Sequence, residues 1–378
     1  MRRICIDCRY LGPRPSGIAE VVQALVDYLP GLAPDLQFHL LRPAARAEPL
    51  SREVNVTEAA VPYAVNGPAT MWALPQLVDL RGVDLFHAPA NIMPARLTMP
   101  CLTTIHDLMW LTDPQLCKTG KTAGISRRFF SHGIKRALRD AAAIATVSNA
   151  TRSAILQCHP AAEMRTFTTL SGVAEDFRPT PAPPDLLARI GLTSGQKYVL
   201  TVGQYSPYKN HEGALAAMAL AFAGRSDVAL VLVQRRGGST ERLQRLAREL
   251  GIAAQVIMPP PLAREDLVQL YSSAAALLHP SWCEGFGNPL AEAMACGCPV
   301  VTSDRSAMPE VTGGAALLAD PHNNAAFAAA LQRVVDDPAL AAELRAKGLA
   351  RAAQLNWRTF AADNLAIYRE LLKGKPAR

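Results

Sequence analysis

"HPSWCEGFGNPLAEAMACGCPVVTS", residues 279–303, sets two glutamates, Glu284 and Glu292, on either side of a glycine-rich turn. The apolar run leading into it, "AALLHPS", reads as a buried strand. Asn288-Pro289 then reads as a helix start, with Asn288 as cap and Pro289 at the first helical position. The helix "LAEAMACG" stops at Gly297 and Pro299, and "PVVTS" is the next strand. Glu284 therefore falls in the loop at a strand's carboxyl end, and Glu292 in the first turns of the following helix. Between them, Gly285, Phe286 and Gly287 place backbone N–H groups at a helix N-terminus, where geometry and dipole favour an anion.

Working outward, the same alternation fills the chain. "RICIDC", "FHLLR", "LFHAPA", "CLTTIH" and "AAIATVS" read as buried parallel strands in the first half. "YVLTVG", "ALVLVQ", "QVIMPP", "AALLHPS", "PVVTS" and "AALLAD" do so in the second. Helical, alanine-rich patterns separate them, which predicts an α/β chain of two doubly wound parallel sheets. The proline-rich stretch at 178–196 reads as the linker. It divides the chain near residue 190 into Rossmann-like domains at 1–190 and 191–356. Ligands of such sheets bind beyond the carboxyl ends of the strands, so a cleft between facing domains is expected. A final amphipathic helix at 357–373 carries Trp357, Phe360, Leu365, Tyr368 and Leu371 or Leu372 on its apolar side.

Composition narrows the class. With 378 residues, 49% hydrophobic and 19% charged, the chain has material for two cores. No run approaches the roughly 18 apolar residues of a spanning helix, and "MRRICIDCRY" is too short and polar for a signal peptide. Cys5 and Cys8 form a CxxC, yet they lie in and after an apolar strand with no second pair at zinc spacing, so reduced cysteines and a cytoplasmic chain are expected. Part of the net charge of +7 concentrates at residues 125–140, where Arg127, Arg128, Lys135, Arg136 and Arg139 punctuate an apolar, aromatic helix. A solvated basic face and a helix resting on an anionic membrane surface both fit. No recognition motif accompanies the charge, so no nucleic-acid partner is expected.

A nucleotide-diphosphate sugar needs what the opening stretch offers: amides and a helix dipole for the pyrophosphate, a carboxylate for each set of hydroxyls. Glu292 alone would be only a favourable acidic residue in a helix's first turn. The whole spacing is more specific, and "EGFGNPLAEAMACGCPVVTSDRSAMPEV" resembles the E-x7-E signature of retaining glycosyltransferases of family 4. That resemblance implies the GT-B fold, with the C-terminal helix crossing back to the first domain. It implies that Glu284 faces the donor sugar's hydroxyls, that Gly285, Phe286, Gly287 and Asn288 line the sugar and diphosphate, and that Glu292 binds the ribose.

Other segments extend the likeness over nearly the whole chain. "TVGQYSPYKNHEGAL" resembles the family's Lys-Asn segment after a glycine, here Gly203, which implies that Lys209 neutralises the diphosphate; an exposed lysine after a turn is the plainer reading. Gln204 stands where the family often has a basic residue, and Arg235 or Arg236 is a candidate substitute. "TTIHDLMWLTDP" implies that His106, with Asp107, lies near the scissile bond. Gly17 and Ile18 open the first helix near the donor phosphate or the acceptor, while His87 and Ser148 at strand ends shape the cleft.

The implied chemistry is front-face transfer, in which the departing phosphate oxygen deprotonates the acceptor and no second carboxylate acts as nucleophile. No Asp-x-Asp motif occurs, so neither a metal nor another cofactor is expected. Similarity to bacterial mannosyl- and rhamnosyltransferases of surface polysaccharide assembly favours a GDP-linked donor and a saccharide, lipid-linked acceptor, with association at the inner membrane face. UDP- and dTDP-sugars remain alternatives, as does a non-catalytic nucleotide-sugar-binding partner of a polysaccharide complex. A dehydrogenase is disfavoured by the lack of GxGxxG after the first strand.

Overall fold

The computed structural model describes residues 1–12, 16–117, 122–234 and 238–373. Seven parallel strands build the first sheet: β1 (Arg2–Asp7), β2 (Leu36–Pro43), β3 (Val56–Val61), β4 (Leu85–Ala88), β5 (Cys101–Ile105), β6 (Ala143–Thr146) and β7 (Thr166–Thr168). Their spatial order is β3-β2-β1-β4-β5-β6-β7. The chain winds outward from β1 to β3, then returns to pair β4 with the other side of β1. β1 and β4 thus mark the switch point at which such sheets bind ligands. Five of these strands are the apolar runs read from the sequence. β3 and β7 are the edge strands; half-exposed positions such as Thr57, Glu58 and Phe167 break the continuous apolar signal of a strand covered on both faces.

The second sheet contains β8 (Lys197–Val202), β9 (Val228–Val233), β10 (Val256–Ile257), β11 (Ala276–His279), β12 (Val300–Ser303) and β13 (Ala316–Ala319). All pairings are parallel, in the order β10-β9-β8-β11-β12-β13, so its switch point lies between β8 and β11. Its core joins Val199, Leu230 and Leu232 of the sheet to Leu215, Met218 and Phe222 of the helix His211–Phe222 and to Phe327 and Leu331 of the helix Asn324–Asp336. "HEGALAAMALAF" is apolar nearly all round, the pattern of a helix enclosed by its neighbours. Each large side chain fully removed from water there contributes about 1.5–3 kcal/mol.

The chain folds as two compact units. The first holds the residues up to Pro114, the stretch ending at Gly172 and the C-terminal segment from Trp357; the second holds Val173–Asn356 with a short segment beginning at Gln115. The division at Gly172–Val173 corrects the expected one near residue 190. The proline-rich stretch is not a free linker, because Thr180 N and Ala182 N donate to Ser272 Oγ and Ser273 Oγ at 2.9 and 2.7 Å. Pro184 then starts a helix, Pro184–Ile190, which buries Leu186 and Ile190 and ends at Gly191 with φ 101°. Proline in a first turn and glycine just past the end are helix punctuation, so the same residues that suggested a linker delimit a helix.

The C-terminal helix Trp357–Leu372 buries Trp357, Phe360, Leu365, Tyr368 and Leu372 as anticipated, with Ile367 besides. It belongs to the first unit, where the Tyr368 hydroxyl lies 2.6 Å from His87 Nδ1. Cys5 and Cys8 are buried and unbridged.

Candidate active site

In the second unit the loops after β8 and β11 meet at the switch point. After β8 the chain passes Gly203, whose φ of +148° suits glycine, and a Cβ there would lie 3.4 Å from Lys209 Cε. The single turn Pro207–Lys209 follows. Asn210 is left-handed at φ 53°, caps the helix His211–Phe222 by accepting from Gly213 N, and donates from Nδ2 to Pro280 O at 3.0 Å. Tyr208 O accepts from Trp282 N at 2.8 Å, so the two loops are pinned together. Lys209 is thereby turned inward: its side chain is 11% exposed, which removes the plainer reading of a surface lysine.

Glu284 is the centre of the arrangement. Its Oε1 accepts from Lys209 Nζ at 2.6 Å, His279 Nε2 at 2.9 Å and Ser281 Oγ at 2.9 Å. Burial alone would raise its carboxyl; the Lys209 charge and the His279 hydrogen bond overcome that and bring it down to about 2. The carboxylate is therefore ionised at any physiological pH, and among the described residues its Oε2 accepts no hydrogen bond. Burial lowers the His279 pKa, so the ring is neutral and Nε2 carries its proton toward Glu284. Ser306, at φ 56°, holds the Glu284 backbone from behind, with its Oγ 3.3 Å from Glu284 N and 2.5 Å from Glu284 O. A left-handed serine is uncommon and clusters at sites that over-determine the backbone.

The helix Asn288–Ala295 opens beside this carboxylate. Its cap is Gly287 at φ 97°, with no side-chain cap hydrogen bond. This corrects the expected cap at Asn288, which is the first helical residue, and it moves Pro289 to the second. Only glycine enters a helix from the left-handed region without cost, and a Cβ at Gly287 would sit 3.0 Å from Leu290 Cδ1. Phe286 is buried. Glu292, one turn in, accepts from the Tyr271 hydroxyl at 2.8 Å, and Tyr271 is itself fully buried. Arg235 and Arg236 lie outside the described residues.

The first unit places its predicted groups on the carboxyl edge of its own sheet. His106 follows β5; its Nε2 donates to Pro89 O at 3.0 Å and its backbone N to Asn91 Oδ1 at 2.7 Å. Burial lowers its pKa, so the ring is neutral with its lone pair on Nδ1. Asp107 Oδ1 accepts from Met109 N at 2.9 Å. Ser148 is fully buried, and its hydroxyl caps the helix Asn149–Cys158 through Thr151 N. Gly17 opens the helix Gly17–Leu32, capped by Ser16. His87 is sealed between Tyr368 and Thr104, and burial takes it down to about 3. Sequence reasoning missed His279, Ser281, Tyr271 and Ser306. Only His279 carried a signal, a histidine ending an apolar strand five positions before Glu284.

Two Rossmann-like parallel-sheet units define the GT-B fold, and the structural likenesses agree. A sucrose-phosphate synthase from Thermosynechococcus elongatus matches over 99% of this chain and 100% of that one, with a TM-score of 0.75 and 22% identity. The Anabaena protein HepE in complex with UDP and glucose matches over 98% and 100%, with a TM-score of 0.71 and 19% identity. Residues 185–351 match the family model of the group 1 glycosyl transferases. O-antigen chain mannosyltransferase B of Escherichia coli is 31% identical over 302 residues, 79% of this chain and 77% of that protein. The chain belongs to the group 1 glycosyltransferase family.

Proposed function

We propose that this glycosyltransferase moves a hexose, mannose or rhamnose, from a nucleotide-diphosphate sugar to a saccharide acceptor with retention at the anomeric carbon. The observation that carries this is Glu284, a buried, ionised carboxylate whose Oε1 accepts from three donors and whose Oε2 accepts from none among the described residues, beside the N-terminus of the helix Asn288–Ala295. Oε2 accepts from the sugar hydroxyls. The diphosphate lies against the helix N-terminus and the Gly285–Gly287 backbone, with the Lys209 ammonium shared between it and Glu284. Glu292, oriented by Tyr271, accepts from the ribose.

In the transfer step the bond from the anomeric carbon to the β-phosphate oxygen breaks. The acceptor oxygen bonds that carbon on the same face, and its proton passes to the departing phosphate oxygen. Lys209 and the helix dipole stabilise the charge that develops there. Lys209 supplies the cation at the leaving group, so no divalent metal enters this scheme and activity persists in excess chelator.

The O-antigen chain mannosyltransferase relative supports mannose as the sugar and a surface-polysaccharide saccharide as the acceptor; the HepE complex supports UDP as the base-bearing half of the donor, and GDP- and dTDP-linked donors are the alternatives. Association with an anionic membrane is supported by exposed Arg127, Arg128, Lys135 and Arg139 on the helix Ala123–Asp140, with Ile125 73% exposed beside them. Phe129 and Phe130 contribute less, being half-buried against Trp72 and Trp110. Among the described residues no helix is long and apolar enough to cross a membrane.

Transfer from GDP-mannose, UDP-glucose and dTDP-rhamnose to a lipid-linked oligosaccharide, with the new linkage read by NMR, tests the proposal. Product with the donor's anomeric configuration is expected; an inverted linkage overturns the retaining step.

A further inference from the structure

In the second sheet every strand runs the same way, so the residues that follow the strands share one edge. Gly203 follows β8 there, His279 ends β11, and Gln234 follows β9, the neighbour of β8 on the side away from β11. Gln234 is 9% exposed, and among the described residues neither its Oε1 nor its Nε2 has a hydrogen-bond partner. A buried carboxamide with both groups unsatisfied is costly to the fold, and such costs collect where a ligand will meet them. Gln255, the other buried glutamine among the described residues of this unit, is not left in that state: its Nε2 donates to Phe222 O at 2.9 Å and Arg225 O at 2.8 Å.

We propose that Gln234 hydrogen-bonds the nucleoside of the donor. The inference rests on the donor-site reading above. It follows from position and from hydrogen-bonding capacity. Adjacent strands lie about 4.8 Å apart, so Gln234 sits one strand out from the switch point, within the span of a nucleotide whose diphosphate lies there. An ionised diphosphate only accepts hydrogen bonds; it would satisfy Nε2 and leave Oε1 facing an anion. A ribose hydroxyl, or the amide edge of a base, both donates and accepts, and so completes both ends of the carboxamide.

The test is calorimetry on the full chain with GDP, UDP, dTDP and inorganic pyrophosphate, comparing wild type with Gln234→Met, which keeps the volume and removes both polar groups. The expected result is a roughly tenfold weaker Kd for the nucleoside diphosphate, an unchanged Kd for pyrophosphate, and a Tm equal to or above that of wild type. Where wild type binds more than one of the nucleotides, an equal loss across them assigns the contact to the pentose, and a loss confined to one assigns it to that base. Unchanged nucleoside diphosphate affinity overturns the inference, and so does an equal loss for pyrophosphate. Gln234→Ala supplies the same comparison without a methionine in the pocket. If wild type binds none of the nucleotides, the donor-site reading itself fails; if wild type binds and both variants bind equally, only the role of Gln234 fails.

Discussion

Lys209 Nζ lies 2.6 Å from Glu284 Oε1, with both side chains nearly buried, so the two groups assigned to opposite ends of a sugar diphosphate are partners in the free protein. An ion pair taken out of water loses more when one member is removed than when both are, because the survivor is left buried and uncompensated. Lys209→Met is therefore expected to lower stability by about 1–3 kcal/mol, where a solvated lysine would cost almost nothing. Adding Glu284→Gln recovers part of that loss. Denaturant midpoints of the single and double variants measure it, and strict additivity would mean that the pair is not coupled.

The same substitution acts on the reaction. With its leaving-group cation gone, kcat of Lys209→Met should fall on the order of 100- to 1,000-fold. Folded variant at the assay temperature, checked by circular dichroism, separates that loss from instability. A kcat within a factor of three of wild type would remove Lys209 from the chemistry.

Tyr271→Phe deletes one hydroxyl from a buried position and removes its hydrogen bond to Glu292 Oε2. Nucleotide affinity should drop by roughly three- to tenfold, the scale of one hydrogen bond to a charged group, while kcat at saturating donor changes little. Titration with the nucleoside diphosphate reads this out, and a change in kcat alone would argue that Glu292 acts elsewhere.

Stability should depend on pH in a defined direction. Burial holds His211 down to about 4 and His87 down to about 3. Both stay neutral in the folded chain at pH values where unfolded imidazoles, near about 6.5, take up protons. Stability is therefore full above about pH 6.5 and is lost progressively as pH falls toward 4 and 3. Glu284, depressed to about 2, contributes stability that is complete above the usual glutamate range and lost as pH falls through it toward 2. Tm measured from pH 8 to 4 should fall, and His87→Gln should flatten the descent; a steeper descent in that variant would contradict the assignment.

Much of this was legible in the sequence because the signals were local. The strand-loop-helix stretch around Glu284 carries its own start, turn and stop residues, and eleven apolar runs reappear as strands in the two sheets. What stayed hidden depends on distant partners. Ser306 is an ordinary serine in a loop until its left-handed backbone sets its hydroxyl against Glu284, 22 positions away. Tyr271 looks like a core aromatic until its hydroxyl meets a carboxylate on another helix. The proline-rich stretch misled for the opposite reason: proline and glycine mark chain breaks and helix ends with the same residues, and only the hydrogen bonds to Ser272 and Ser273 tell which applies.

Calorimetric titration of wild type and Glu292→Ala with GDP, UDP and dTDP tests the donor site most directly. The account predicts that one nucleotide binds wild type and that its affinity falls at least tenfold in the variant, which remains folded at the titration temperature. Equal binding by both proteins, or no binding by wild type, would contradict it.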